Sequence, residues 1–242
     1  MPLPERAFFH HPELKPLISD PDTSFFRDLD VEDIERRMEE RGMERGWRHP
    51  DAVREALRNA ALEGRRDRDL WIFAYGSLMW DPAIQFVEVR RAHTDQYGRS
   101  FCLWDDGARG TQEQPGLMAA LDMGEGCTGL AFRIPADQIE VETEILCRRE
   151  LIAPGYVCTF VELDTAQGRV EALTFVADHS AEVIVPDIPI TEQARMIAHA
   201  EGLFGTAFDY LSNVKRHLDE LAIEDAYIEA LCALVDKERA LV

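Results

Sequence analysis

The chain lacks the marks of several common functions. Its five cysteines (Cys102, Cys127, Cys147, Cys158 and Cys232) are odd in number, show no CxxC spacing and lie mostly inside apolar runs. Cysteine in that setting is usually a small buried hydrophobe, so free thiols in a reducing compartment are expected. The seven histidines form no HxxxH or Cys/His ligand spacing, and no metal site is expected. No run approaches the roughly 18 apolar residues of a membrane span. The start of the chain is polar and has no apolar signal core. A cytoplasmic location is the expectation. Basic residues are scarce, with 26 Lys and Arg against 46 Asp and Glu, a formal charge of -20. That field disfavours nucleic acid and anionic membranes as partners. An anionic small molecule would need local arginines or backbone donors to overcome it. Neither GxGxxG nor a Walker A pattern occurs, and no internal repeat or low-complexity segment is visible. Oligomeric state is not legible.

What is present is an ordinary globular composition, 46% hydrophobic and 30% charged over 242 residues, enough for a sizeable core. The chain divides by pattern into a partly helical extension (1–69) and a main domain (70–242). Pro2, Pro4, Pro12, Pro16 and Pro21 keep the opening irregular. Asp30 is placed to cap a helix through Val31–Met38, with acidic residues in its first turn. A second helix starts near Pro50 and Asp51 and runs through Leu57 and Leu62 to Gly64. Arg65–Asp69 reads as a solvated linker. The extension is expected to pack on the main body or to mediate association.

From Leu70 the pattern turns to short strands: Leu70 to about Ala74, Ile84–Val89, Ser100–Trp104, Leu117–Leu121 and Cys127–Ile134. Gly124-Glu125-Gly126 reads as a hairpin turn between the last two. Pro135 opens a helix that Pro154-Gly155 ends. Strands follow at Tyr156–Leu163 and Val170–Val176, then helices over Thr191–Leu203, Ala207–Leu218 and Glu224–Val242. The fold class is α+β: many short strands plausibly curled into a small barrel, with helices grouped at the end.

Two features suggest chemistry. The apolar run Trp71-Ile72-Phe73-Ala74 ends abruptly in Tyr75-Gly76-Ser77-Leu78-Met79. Amides fanned out at a strand end can hold a carboxylate, a developing oxyanion or both, and Gly76 would leave space above them. Ser77 is not in a nucleophile elbow, because Met79 stands where GxSxG needs its second Gly. Glu150 ends an amphipathic helix and is followed by Leu151 and Ile152. Partial desolvation there raises a carboxyl's pKa and suits it to proton transfer near neutrality, with Arg148 and Arg149 pulling the other way. Arg109, on a Gly-rich loop, is placed to meet an anionic group.

In chain order, Phe73–Trp80, Arg109-Gly110-Thr111 with Pro115-Gly116, Gly126–Arg133, and Arg148-Arg149-Glu150 with Gly155-Tyr156 resemble the ChaC-like γ-glutamylcyclotransferases. Tyr210-Leu211 is a weaker echo. The likeness spans about residues 70–215; Ala74 stands where the family commonly has Gly. The resemblance implies a small mixed β-barrel, no cofactor, and cleavage of γ-glutamyl peptides, typically glutathione, to 5-oxoproline and cysteinylglycine. In that reaction the substrate's own α-amine attacks its γ-carbonyl and Glu150 is the general acid/base. Ala74, Tyr75, Gly76, Ser77, Leu78, Met79, Arg109 and Tyr156 are the expected substrate-binding residues. Other γ-glutamyl amides as substrates, or a non-catalytic regulator that retains the pocket, are the alternatives.

Overall fold

Alternating apolar positions from Leu70 onward become a sheet that closes on itself. The structure, a computed structural model, describes residues 3–241; Pro2 and the Val242 end of the expected last helix lie outside them. The seven longer strands are β1 (Leu70–Ala74), β2 (Glu88–Thr94), β3 (Tyr97–Asp105), β4 (Gly116–Met123), β5 (Cys127–Ile134), β6 (Tyr156–Thr165) and β7 (Val170–Ala177). Their order is β1-β5-β2-β6-β7-β4-β3, and β1 also pairs with β7. That extra pairing, parallel at Trp71↔Ala172 and Ile72↔Leu173, closes β1, β5, β2, β6 and β7 into a five-stranded barrel. Closure removes the unpaired strand edges that an open sheet would expose. The β3–β4 hairpin hangs from the barrel by a parallel pairing, Leu121↔Val176.

Among the described residues six α-helices complete the fold: α1 (Val31–Glu39), α2 (Asp51–Ala61), α3 (Ile139–Glu150), α4 (Ile190–His199), α5 (Ala207–Glu220) and α6 (Ala226–Arg239). The cap expected at Asp30 is present, its carboxylate accepting from the N–H groups of Glu32 and Asp33 at 3.0 Å each. The α+β barrel with helices is thus the observed class. Before α1, three short 3-10 turns carry Ala7, Phe8, Leu14 and Ile18 into the same core as the barrel. The Phe8 ring meets Phe86 edge-on at 5.7 Å, and Phe86 meets Phe132 of β5 at 4.8 Å.

Several local expectations differ from the structure. The strand expected at Ile84–Val89 begins only at Glu88, because Pro82 and Ala83, the latter at φ 59°, turn the chain away from extended geometry. Ile84 and Phe86 are buried as core plugs, not as strand residues. The turn at Gly124–Gly126 exists, but the strands it joins do not pair. β4 lies between β3 and β7, while β5 lies between β1 and β2. The helix expected to reach Leu203 stops at His199, and Glu201–Gly202 (β8) pairs with Gly205–Thr206 (β9) instead. Arg65–Asp69 is anchored more firmly than a solvated linker. The Arg65 guanidinium lies 3.7 Å over the Phe160 ring, and Asp69 accepts from Arg133 at 2.5 Å and from the Ala136 N–H at 3.0 Å.

Candidate active site

β1 delivers the chain into a 3-10 turn at Ser77–Met79. Within it the Met79 N–H donates to the Gly76 carbonyl at 2.9 Å, and the Asp81 N–H to the Ser77 carbonyl at 3.0 Å. A helical turn leaves its first N–H groups unpaired. Here the N–H groups of Gly76, Ser77 and Leu78 have no acceptor among the described residues. Met79 is therefore not a free donor, and both its side chain and that of Leu78 are buried in the core. The Tyr75 carbonyl accepts from Arg99 Nε at 2.7 Å, so a buried guanidinium braces the strand exit from behind. Ala74 is fully buried; a Cβ on Gly129 of β5 would stand 2.1 Å from its carbonyl oxygen. The close approach therefore depends on Gly129, and Ala74 is accommodated. Gly76 has φ -131°, not a left-handed conformation. A Cβ there would meet the Tyr210 hydroxyl at 3.7 Å, an ordinary contact, so the expected need for open space at this position is not borne out by a clash.

Glu150 ends α3, where Pro154 and Gly155 (φ 139°) prevent further helix. Its side chain is 15% exposed. Burial pushes the carboxyl above its ordinary range, and the Arg149 guanidinium, with Nε 3.0 Å from Oε1, pulls it partly back. Arg148 does not share that role: it pairs with Glu144 at 3.8 Å and donates to the Arg27 carbonyl at 2.6 Å. The Glu150 charge adds to the upward pKa shift of Tyr75, Tyr156 and Tyr210, so all three phenols lie within its electrostatic reach. Burial is the largest cause of each phenol's upward shift; Tyr210 is pushed up to about 12. Tyr156 is further fixed by donating its hydroxyl to the Ala119 carbonyl of β4 at 2.8 Å.

Arg109 approaches from the loop between β3 and β4. The Asp105 carboxylate organises that loop by accepting N–H bonds from Gly107 at 3.1 Å, from Ala108 at 2.9 Å and from Arg109 itself. Gly110 permits the tight pass, since a Cβ there would stand 2.3 Å from the Gly116 nitrogen. The Arg109 guanidinium lies 5.7 Å from the Tyr210 ring centroid and donates to the Thr206 carbonyl at 3.4 Å. Burial lowers its pKa, and no carboxylate pairs with it among the described residues. Asp105 and Asp209 act on it only from beyond ion-pair contact, and a half-buried cation with no directly paired carboxylate is suited to receive an anion. Tyr210 joins the parts: its hydroxyl faces Gly76 and its ring faces Arg109.

The structure thus brings Glu150, Tyr75, Gly76, Ser77, Tyr156 and Arg109 toward one region and turns Ala74, Leu78 and Met79 side chains into the interior. Ser77 Oγ accepts from Arg149 Nη2 at 2.7 Å, which leaves it with an arginine partner and no base. Sequence reasoning gave Tyr210 only a faint echo and missed Arg99. Tyr210 comes from α5, more than fifty residues beyond Glu150, and nothing local in its helix pattern separates it from a packing aromatic. Arg99 sits in a strand, where a basic residue reads as solvent-facing.

Comparison with known proteins comes from three directions. The family described as ChaC-like protein matches residues 70–238. The glutathione-specific γ-glutamylcyclotransferase of Escherichia coli strain K12 is 38% identical over 180 residues, covering 74% of this chain and 78% of that protein. The human glutathione-specific γ-glutamylcyclotransferase 1 is 31% identical over 180 residues, covering 71% and 81%. Among solved structures, a yeast γ-glutamylcyclotransferase specific to glutathione superposes with a TM-score of 0.65 at 20% identity, covering 73% of this chain and 99% of that one. That last likeness concerns the fold.

Proposed function

The chain belongs to the ChaC-like family, and from that premise we propose that it is a γ-glutamylcyclotransferase cleaving glutathione to 5-oxoproline and cysteinylglycine. The observation that carries the mechanism is the mostly buried Glu150 carboxyl, linked through the Arg149 guanidinium to Ser77 of a turn with three N–H groups that have no acceptor among the described residues.

Arg109 and the N–H groups of Gly76, Ser77 and Leu78 supply the positive potential that an overall charge of -20 otherwise denies an anionic substrate. They divide between the glutamyl α-carboxylate and the oxygen of the γ-carbonyl, where negative charge develops. Glu150 removes a proton from the substrate α-ammonium. The freed nitrogen attacks the γ-carbonyl carbon, forming a five-membered tetrahedral intermediate, and gives up a second proton to solvent; the lactam forms when the bond to the cysteinylglycine nitrogen breaks. The protonated Glu150 then returns its proton to the departing amide nitrogen of the cysteinylglycine half. No enzyme nucleophile is consumed, consistent with a Ser77 that has no base. Held in the folded conformer, the glutamyl arm replaces a search in solution by proximity, which can account for much of the acceleration. Tyr75, Tyr156 and Tyr210, their pKa values raised chiefly by burial, stay protonated near the carboxyl.

The test is product analysis with purified full-length protein. Glutathione should yield equimolar 5-oxoproline and cysteinylglycine, and γ-glutamylalanine should be a much poorer substrate. Equal turnover of both would replace glutathione by γ-glutamyl amides in general. Absence of product from either, with glutathione still bound, would favour a non-catalytic regulator.

A further inference from the structure

Arg149 has no part in the mechanism proposed above, yet it is firmly held beside the site. It is 8% exposed. Nη2 donates to Ser77 Oγ at 2.7 Å, Nη1 to the Asp81 carbonyl at 2.5 Å, and Nε lies 3.0 Å from Glu150 Oε1. One face of the guanidinium is covered by the Phe26 ring, 3.9 Å from its central carbon. Three donors aimed in three directions and a stacked plane are what guanidinium geometry provides and an ammonium does not.

Phe26 precedes the family-matched region by more than forty residues, and its neighbours tie it to the catalytic helix. Arg27 makes two bonds to Glu142 of α3, at 2.8 and 2.9 Å, and a third to the Ala83 carbonyl at 3.0 Å. Arg148 donates back to the Arg27 carbonyl at 2.6 Å. Beyond the helix, the His49 N–H donates to the Ile152 carbonyl at 2.9 Å. The N-terminal segment therefore grips α3 on both sides of Glu150.

We propose that Arg149 is a positioning residue that locks the general base to the donor turn, and that Phe26 of the N-terminal segment holds it in place. This rests on the reading of Glu150 as the acid/base. The groups facing that carboxyl are Arg149 and Cys147 from α3, Tyr75 from the end of β1, Tyr156 from β6 and Tyr210 from α5. Burial keeps the phenols protonated, and the adjacent Cys158 thiol with burial does the same for Cys147. Arg149 is the charged neighbour among the described residues, so loosening it leaves burial unopposed.

The experiment uses the full chain as wild type, Arg149→Gln, Phe26→Leu and Phe26→Tyr. Two readouts are taken: the pH profile of kcat/KM, and the titration of the Glu150 carboxyl carbon by NMR, assigned with Glu150→Gln. In Arg149→Gln both the acid limb and the carboxyl midpoint should move up by about one pH unit, with kcat falling roughly tenfold or more and KM little changed. Phe26→Leu should move both in the same direction by less, and Phe26→Tyr, which keeps the ring, should match wild type. An unmoved carboxyl midpoint in Phe26→Leu and in a folded Arg149→Gln overturns the proposal. Should Arg149→Gln fail to fold, Phe26→Leu decides alone. A shifted carboxyl in a protein whose wild type releases no 5-oxoproline would overturn the assigned reaction while supporting this coupling.

Discussion

Glu150 is held against the preference of its own charge. Burial raises its pKa and Arg149 only partly offsets that, so the folded state favours the protonated carboxyl more than the unfolded chain does. The sign follows by linkage: its contribution to stability is fully present below the unfolded carboxyl's pKa and is lost as pH rises through the folded one. At neutral pH the ionised side chain is therefore a burden on the fold, one that the proposed reaction requires. Glu150→Gln should lose turnover by on the order of 10²–10⁴-fold with glutathione binding retained, as read by 5-oxoproline release and calorimetry. The same variant should melt above wild type at pH 7, and that advantage should shrink as the pH is lowered. A variant that melts lower at pH 7 would contradict the assigned environment. Activity should in turn fall away on the acid side at a pH above the ordinary carboxylate range, where the base becomes protonated.

The site depends on two elements meeting closely, the end of β1 and the strand beside it. Gly129 in β5 is the position that allows this, because any Cβ would stand 2.1 Å from the Ala74 carbonyl. Gly129→Ala should cost about 1–3 kcal/mol or more by overpacking, read as a lower denaturant midpoint, and should reduce turnover more than substrate affinity by displacing the Tyr75–Leu78 turn. At this scale the sequence was legible where one local rule governs. Asp30 capped α1, Pro135 and Pro154-Gly155 bounded α3, and the apolar run of β1 ended at the turn that bears the donors. It was illegible where partners come from afar. Ile84 and Phe86 carry strand-like side chains but fill the core from an irregular segment, since Pro82 and Ala83 bend the backbone. Gly124–Gly126 has hairpin composition, yet its strands pair with other partners because barrel closure through β1 and β7 decides their neighbours. Glu150 and the Tyr75–Leu78 turn could be picked out because a helix stop and a strand stop are local signals. Arg99, Arg149 and Tyr210 acquire their meaning only from the tertiary contacts.

For the whole molecule, the segment before Leu70 is joined to the core and is not an appendage. Phe8, 4% exposed, packs edge-on against Phe86, which in turn contacts Phe132 of the barrel. Phe8→Ala should cost about 3–5 kcal/mol in urea or thermal unfolding, a single cooperative transition being retained, although the residue lies well outside the region shared with relatives. A fall confined to a minor early transition would mean that the segment folds apart from the barrel.

In the proposed reaction the substrate's own nitrogen, and not water, opens the γ-glutamyl bond beside Glu150. Glutathione turned over in water enriched in oxygen-18 tests it directly, with both products analysed by mass spectrometry. 5-Oxoproline should carry no heavy oxygen and should be released in equal amount with cysteinylglycine. Glutamate bearing one heavy oxygen in its γ-carboxylate, with no 5-oxoproline, would contradict it.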